Sequence, residues 1–153
     1  MKKIILGLSV LFFAATTMAQ NTNDYMEVER AALKTEKKAL VAEAMEFTDE
    51  ESKVFWPLYN EYNEKQYIIN TKVYNTIVEY AENFDTLTDE KAIELWNESM
   101  KQRDELLKLK KTYFKKFQKI LPGKKAVRYF QVESKVWSLI NAQLALEIPL
   151  MQE

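Results

Sequence analysis

The chain has 153 residues with 22 basic and 23 acidic side chains, a formal net charge of −1, and neither His nor Cys. That balance argues against a nucleic-acid binder, which is ordinarily basic. Without His or Cys there is no Ser–His or Cys–His nucleophile pair, no imidazole or thiolate zinc site and no Glu-x-x-His di-iron site.

The first element is a leader. Met1, Lys2 and Lys3 give a positive start, residues 4–15 are apolar apart from Gly7 and Ser9, and Thr17-Met18-Ala19 supplies small residues for a signal peptidase. This predicts a secretory signal peptide over residues 1–19, cleaved after Ala19. A retained anchor is the rival reading, but the run is shorter than the roughly 20 residues that span a bilayer. With no Cys there is no lipid attachment at the cleavage site. Residues 20–153 are therefore expected to be one exported domain with no integral membrane segment. In an oxidising compartment it must be held by packing alone, without disulfides. Beyond the leader a single glycine, Gly123, remains, which rules out a glycine-rich phosphate loop. No cofactor is expected, and the chain is read as not an enzyme, since only carboxylates are left for acid–base work.

Glycine and proline are so scarce that few places interrupt a helix, and the expected fold class is all-α with four helices. The first covers residues 24–44, rich in the helix formers Ala, Glu and Lys, with a weak apolar face of Met26, Ala32 or Leu33, Leu40 and Ala44. The second opens at Thr48-Asp49-Glu50-Glu51, where Thr48 and Glu51 have capping-box spacing and the acids suit the positive end of the helix dipole. Phe55, Leu58, Tyr59, Tyr62, Ile69, Val73, Ile77 and Tyr80 then form one face at spacings of three and four. Pro57 lies within that helix and predicts a kink near Lys53.

Residues 83–87 are the next break, and Thr88 caps a third helix over residues 89–119. Its expected stripe is Ile93, Trp96, Met100, Leu107, Phe114, Phe117 and Leu121. Pro122 and Gly123 make the last turn, with Pro122 a candidate first residue of helix four. There Val127, Phe130, Trp137, Ile140, Leu144 and Ile148 form the buried face, and Pro149 ends it. Helices of about 30 residues are roughly 45 Å long. Joined by short links they must form long antiparallel hairpins, so an elongated molecule is expected. Such a hairpin buries both its faces poorly alone, and homodimerisation is the natural remedy.

Phe47-Thr48-Asp49-Glu50 recurs forty residues on as Leu87-Thr88-Asp89-Glu90, and Trp56 and Trp96 keep the same offset. Two helices needing two N-caps would give much of this; the matched tryptophans favour a repeated unit. The pair of segments resembles the LTxxQ motifs of the Spy/CpxP-like periplasmic helical proteins. FTDEE at 47–51 and LTDEK at 87–91 depart from that motif at the fifth position, where Glu51 and Lys91 replace Gln. FWPLYNEY at 55–62 and LPGKKAVRYFQVESKV at 121–136 are similar to segments of Bacteroidetes relatives described as sensors linked to extracytoplasmic-function sigma factors. The resemblance implies a cradle-like homodimer of helical hairpins in the periplasm, with an ATP-independent chaperone or envelope-stress role. Metal sensing, which some members perform through His, is not carried over to a chain without His. Thr48, Asp49, Thr88 and Asp89 are the motif positions it singles out.

Residues 108–128 carry Lys108, Lys110, Lys111, Lys115, Lys116, Lys119, Lys124, Lys125 and Arg128 with no acid among them. A solvated helical face is the bland explanation. The functional one is a steering patch for acidic, partly unfolded clients or an anionic envelope surface, on which lysine stems also cover apolar client surface. The candidate client or partner surface is Lys108, Lys111, Lys115, Lys116, Lys119 and Arg128, joined by Tyr67, Tyr74 and Tyr113, which lie off the main stripes. Those tyrosines serve equally for packing a second helix or a dimer interface. Glu133 falls between Phe130 and Trp137, and a hairpin turning near Pro122 brings it level with Lys110 or Lys111. A partly buried Glu133–Lys110 ion pair fixing helix register is expected, because an unpaired buried charge is costly; a catalytic carboxylate is the rival.

The leading functional expectation is an exported, ATP-independent protein-binding protein that holds partly folded clients. The alternative is a dedicated envelope sensor docking on one membrane-bound signalling protein, and a purely structural helical module is the third.

Overall fold

The computed structural model of the chain describes the backbone of residues 21–151 and the side chains of residues 32–151. The expected signal peptide, residues 1–19, lies outside the described residues. Four α-helices follow one another: α1 (Asn21–Met45), α2 (Asp49–Glu82), α3 (Asp89–Ile120) and α4 (Gly123–Glu147), with a 3-10 turn at Phe84–Thr86. The fold is all-α, and no strand occurs among the described residues. Contacts divide the chain into two units, Met1–Glu36 and Lys37–Glu153. Of the first, residues 21–36 are helical; the hydrophobic core belongs to the second.

Local chemistry sets the helix ends. Thr48 Oγ1 accepts the Glu51 N–H at 3.2 Å while the Glu51 carboxylate accepts the Thr48 N–H at 3.0 Å, a complete capping box. Thr88 Oγ1 accepts the Lys91 N–H at 3.3 Å, but Lys91 has no carboxylate to return the bond. α1 ends at Glu46, whose φ of 45° places a non-glycine residue in the left-handed region. α2 runs unbroken through Pro57. Leu121 closes α3 with its N–H on the Phe117 carbonyl at 3.0 Å, and Pro122 is the N-cap of α4, one residue ahead of the helix.

Within the second unit α2 and α3 form an antiparallel hairpin. It is tied by Lys72–Glu105 (2.8 Å), by Gln102 donating to Thr76 (2.8 Å) and by the Tyr113 hydroxyl donating to Glu61 (2.5 Å). α4 turns back along the pair: Phe130 packs edge-on to Phe114, and the Tyr80 hydroxyl donates to the Pro149 carbonyl at 2.9 Å. The core is aromatic. Phe55 contacts Phe47, Trp56, Tyr59, Phe117 and Tyr129, with Val41 and Met45 of α1 also fully buried. Ring pairs of this kind add to the area they bury.

The stripe expected for α2 lies largely inward, with Phe55, Tyr59, Tyr62 and Tyr80 buried. α3 differs. Its buried positions are Leu95, Gln102, Tyr113 and Phe117, while Ile93 is 62% exposed, Trp96 60% and Leu107 49%. The physical reason is that α3 has two apolar faces, one through Leu95, Leu106, Leu109, Tyr113 and Phe117 and one through Ile93, Trp96, Met100, Leu107 and Phe114. The first meets α2 and α4; of the second, Phe114 packs on Phe130 of α4. On α4 the buried set is Ala126, Tyr129, Phe130 and Glu133, and Val127 is exposed.

Candidate functional site

α3 carries the basic surface because its last four turns are dense in lysine and only one side of them is needed for packing. Lys108, Lys111 and Lys115 recur at spacings of three and four and are exposed. With Asp104, Leu107 and Thr112 they line a shallow depression of about 420 Å³. Lys119 is exposed near the helix end, where a cation suits the dipole. The structure ties other basic residues to the fold. Lys116 pairs with Glu61 at 2.9 Å and sits over the Tyr113 ring, and Lys125 pairs with Glu51. Arg128 Nε donates to the Ala44 carbonyl at 2.8 Å, satisfying a carbonyl of the last turn of α1. Hydrogen bonds from Lys125 and the Thr48 N–H hold the Glu51 carboxyl below its ordinary range, and those from Tyr113 and Lys116 do so for Glu61.

A second concavity, of about 520 Å³, lies between α3 and α4. Phe114, Phe130 and Val127 supply its apolar lining, and Lys110, Lys135, Gln131 and Ser134 are its polar members. Lys110 also stands 6.0 Å above the Phe130 ring. The groove therefore offers the exposed Val127 and the half-buried Phe114 rimmed by ammonium groups, a combination suited to extended peptide with apolar and acidic side chains.

Three sequence expectations are corrected or redistributed here. Tyr113 is not a surface residue: it is 2% exposed, its ring packed on Tyr62. Its position belongs to the inward face of α3, which the stripe chosen from spacing alone did not include. Tyr67 is exposed and Tyr74 half-buried, both on α2 and away from the lysines of α3. Lys110 does reach the expected level of α4, but it donates to Ser134 at 2.7 Å and not to Glu133. One residue along a helix is a rotation of about 100°, and Glu133 points away from α3, inward.

Glu133 is 1% exposed, and its partner is Lys37 of α1 at 2.8 Å, from 96 residues earlier. Lys37 Nζ also donates to Asn63 Oδ1 (2.8 Å) and Gln66 Oε1 (3.0 Å), using all three of its hydrogens. Glu133 Oε1 further accepts from Gln66 Nε2 (3.0 Å) and Trp137 Nε1 (2.9 Å). Its Oε2 is buried without a partner among the described residues, as is the Tyr59 hydroxyl. Burial pulls Lys37 below the ordinary lysine range against the opposing attraction of Glu133. Burial first, and the Glu133 charge second, raise the hydroxyls of Tyr59, Tyr62 and Tyr129. This cluster fastens the C-terminal part of α1, through Lys37, to α2 and α4. Sequence reading missed Lys37, Asn63 and Gln66. The available signal was Gln66, a polar residue at stripe spacing between Tyr62 and Ile69.

Among the described residues no group of three or more carboxylates converges to hold a metal ion, and no helix is long and apolar enough to cross a membrane. The class the structure defines is an all-α protein of four helices. Compared with known proteins, the chain matches no family model, no curated protein and no solved structure.

Proposed function

We propose that this chain is an exported protein of the Spy/CpxP-like kind that holds partly folded client proteins without nucleotide, metal or catalysis. It acts as a homodimer in the periplasm. The observation that carries the reading is the groove between α3 and α4, where Phe114, Phe130 and Val127 lie beside Lys110 and Lys135. Exposed apolar surface rimmed by charge is the usual mark of a protein-binding face. The exposed Lys108, Lys111 and Lys115 add long-range attraction for acidic clients, which salt should weaken. Their aliphatic stems cover apolar client segments once contact is made.

Light scattering of a reduced, aggregating model client tests the reading. Stoichiometric protein is expected to suppress the signal, and Val127→Asp with Lys135→Glu is expected to abolish suppression while leaving the helical circular dichroism intact. No suppression by the unaltered protein would overturn client holding. A pull-down from envelope extract that returns one stoichiometric membrane partner would support the dedicated sensor instead. Export has its own readout: the protein recovered from the cell is expected to begin at Gln20.

A further inference from the structure

The end of the bundle where α2 closes and α3 begins, the distal end, carries apolar surface that the described residues do not cover. The packing brings three elements there. Lys91, in the first turn of α3, pairs with Glu79 in the last turn of α2, and the Tyr80 hydroxyl donates to the Pro149 carbonyl beyond α4. Along α3 and α4, Lys110 meets Ser134 and Phe114 meets Phe130; the same antiparallel register, continued, sets Trp96 level with Ile148 and Ile93 level with Met151. Ile93 and Trp96 are exposed on α3, while Leu146 is 83% and Leu150 91% exposed at the end of α4 and just beyond it. A lone exposed leucine is ordinary, but several large apolar side chains gathered at one end mark an interaction site.

The charge around them is of one sign. Residues 73–100 hold seven acids and one base, Lys91, and residues 136–153 add two acids and no base. Lys91 is engaged by Glu79 and Glu94, whereas Glu82, Asp85, Glu90 and Glu98 are exposed. Helix stability accounts for Asp89 and Glu90, which sit at the positive end of the α3 dipole. It does not account for Glu79 and Glu82 in the last turn of α2, or for Glu147 in the last turn of α4. There a carboxylate meets the negative end of the helix, and neither turn holds a base.

We infer that the distal end is a docking surface for a cationic amphipathic segment of another protein. The apolar side chains of that segment lie on Ile93, Trp96, Leu146 and Leu150, and its lysines or arginines meet the surrounding carboxylates. Charge complementarity selects this occupant. The same acids repel anionic lipid headgroups and nucleic-acid phosphates. A second copy offers only its basic turn near Pro122, where Phe117, Leu121 and Tyr129 are buried, and that head-to-tail contact propagates instead of closing as a pair. Tryptophan is a frequent anchor of interfaces, and its indole face also attracts cations. This surface is separate from the groove between α3 and α4, whose lysines suit acidic partners, and it stands without the client-holding reading.

Fluorescence anisotropy with the purified full chain tests the surface. The probe is a labelled helical peptide of leucine and lysine with one apolar face, and the control is the same peptide with glutamate for lysine. The lysine peptide is expected to bind and the glutamate peptide not to, with affinity falling as salt rises. Trp96→Ala and Asp85→Lys/Glu98→Lys change exposed positions, and circular dichroism checks that the helices are kept. Each is expected to weaken binding about tenfold or more. Val127→Asp/Lys135→Glu, which alters the groove between α3 and α4, is expected to leave peptide binding in place, and Trp96→Ala to leave client suppression in place, so either reading can fail alone. Equal binding of the two peptides, or no binding of the lysine peptide, would overturn the proposal. Binding that survives both distal variants would overturn it as well, since the peptide then sits elsewhere. Self-association in sedimentation that Trp96→Ala dissolves would make a second copy the occupant and overturn the heterologous partner.

Discussion

The two faces of α3 have similar apolar content and opposite fates. Tyr113 and Phe117 on the inner face are buried against rings from α2 and α4, while Ile93, Trp96 and Leu107 on the outer face stand in solvent. Nothing in helix propensity separates them. What differs is the set of neighbours that the hairpin turns deliver: α2 arrives through residues 83–88 on the inner side, and α4, arriving through Pro122, reaches round only as far as Lys110 and Phe114. The helix therefore carries apolar side chains on a face that the hairpin turns leave largely uncovered.

Truncation is the bluntest way to break the comparison. Phe117 is fully buried, and Phe117→Ala is expected to cost about 3–5 kcal/mol, read as a lower urea midpoint. Leu107→Ala, measured at a concentration where the protein is monomeric, is expected to stay within about 0.5 kcal/mol. Equal effects from the two would mean that the outer face is not free.

The polar interior offers a second test. Glu133→Leu leaves Lys37 buried without its counter-charge and is expected to cost about 3–5 kcal/mol. Lys37→Met combined with Glu133→Leu is expected to recover most of that, since apolar replacement of a buried pair is often neutral. A double variant as unstable as the single would show that the hydrogen bonds to Asn63, Gln66 and Trp137 matter more than the charge.

Alkaline pH sharpens the same contrast without mutation. Tyr59, Tyr62 and Tyr129 have raised pKa values in the folded chain. They keep protons that the unfolded chain releases, so their stabilisation is complete below pH 10 and is lost above it. Three such groups give a slope of about 4 kcal/mol per pH unit. Lys37 acts in the opposite sense. Its folded pKa is lowered, so the unfolded state holds an extra proton between that value and 10.5, and stability rises with pH in that window. Urea midpoints between pH 9 and 11 should fall steeply past pH 10, with tyrosine ionisation at these sites appearing only on unfolding. A flat profile would mean that the hydroxyls are already solvated.

The smallest effect belongs to the backbone. Glu46 holds a left-handed conformation at the end of α1, and Glu46→Gly is expected to raise stability by up to about 1 kcal/mol, seen as a modest rise in Tm.

The repeat at 47–50 and 87–90 illustrates how far the sequence could be read. Both threonines cap helices as their spacing says. The two tryptophans part ways: Trp56 packs on Phe47, Phe55 and Tyr59, and Trp96 is exposed. An identical offset from an identical cap fixes where a residue sits on its helix, but not what stands opposite. Lys116, Lys125 and Arg128 make the same point, since a run of basic residues reads as one patch while these members are tied to the fold.

Helix number, the threonine-capped starts of α2 and α3 and the inward face of α2 were determined by the sequence alone, because caps and apolar spacing act within a few residues of one another. Tertiary structure decided which face of α3 is buried, that Tyr113 is core, and that Glu133 takes Lys37 and not Lys110 as its partner. Those outcomes depend on where distant helices arrive around one axis, and a rotation of a single residue there, about 100°, exchanges solvent for core.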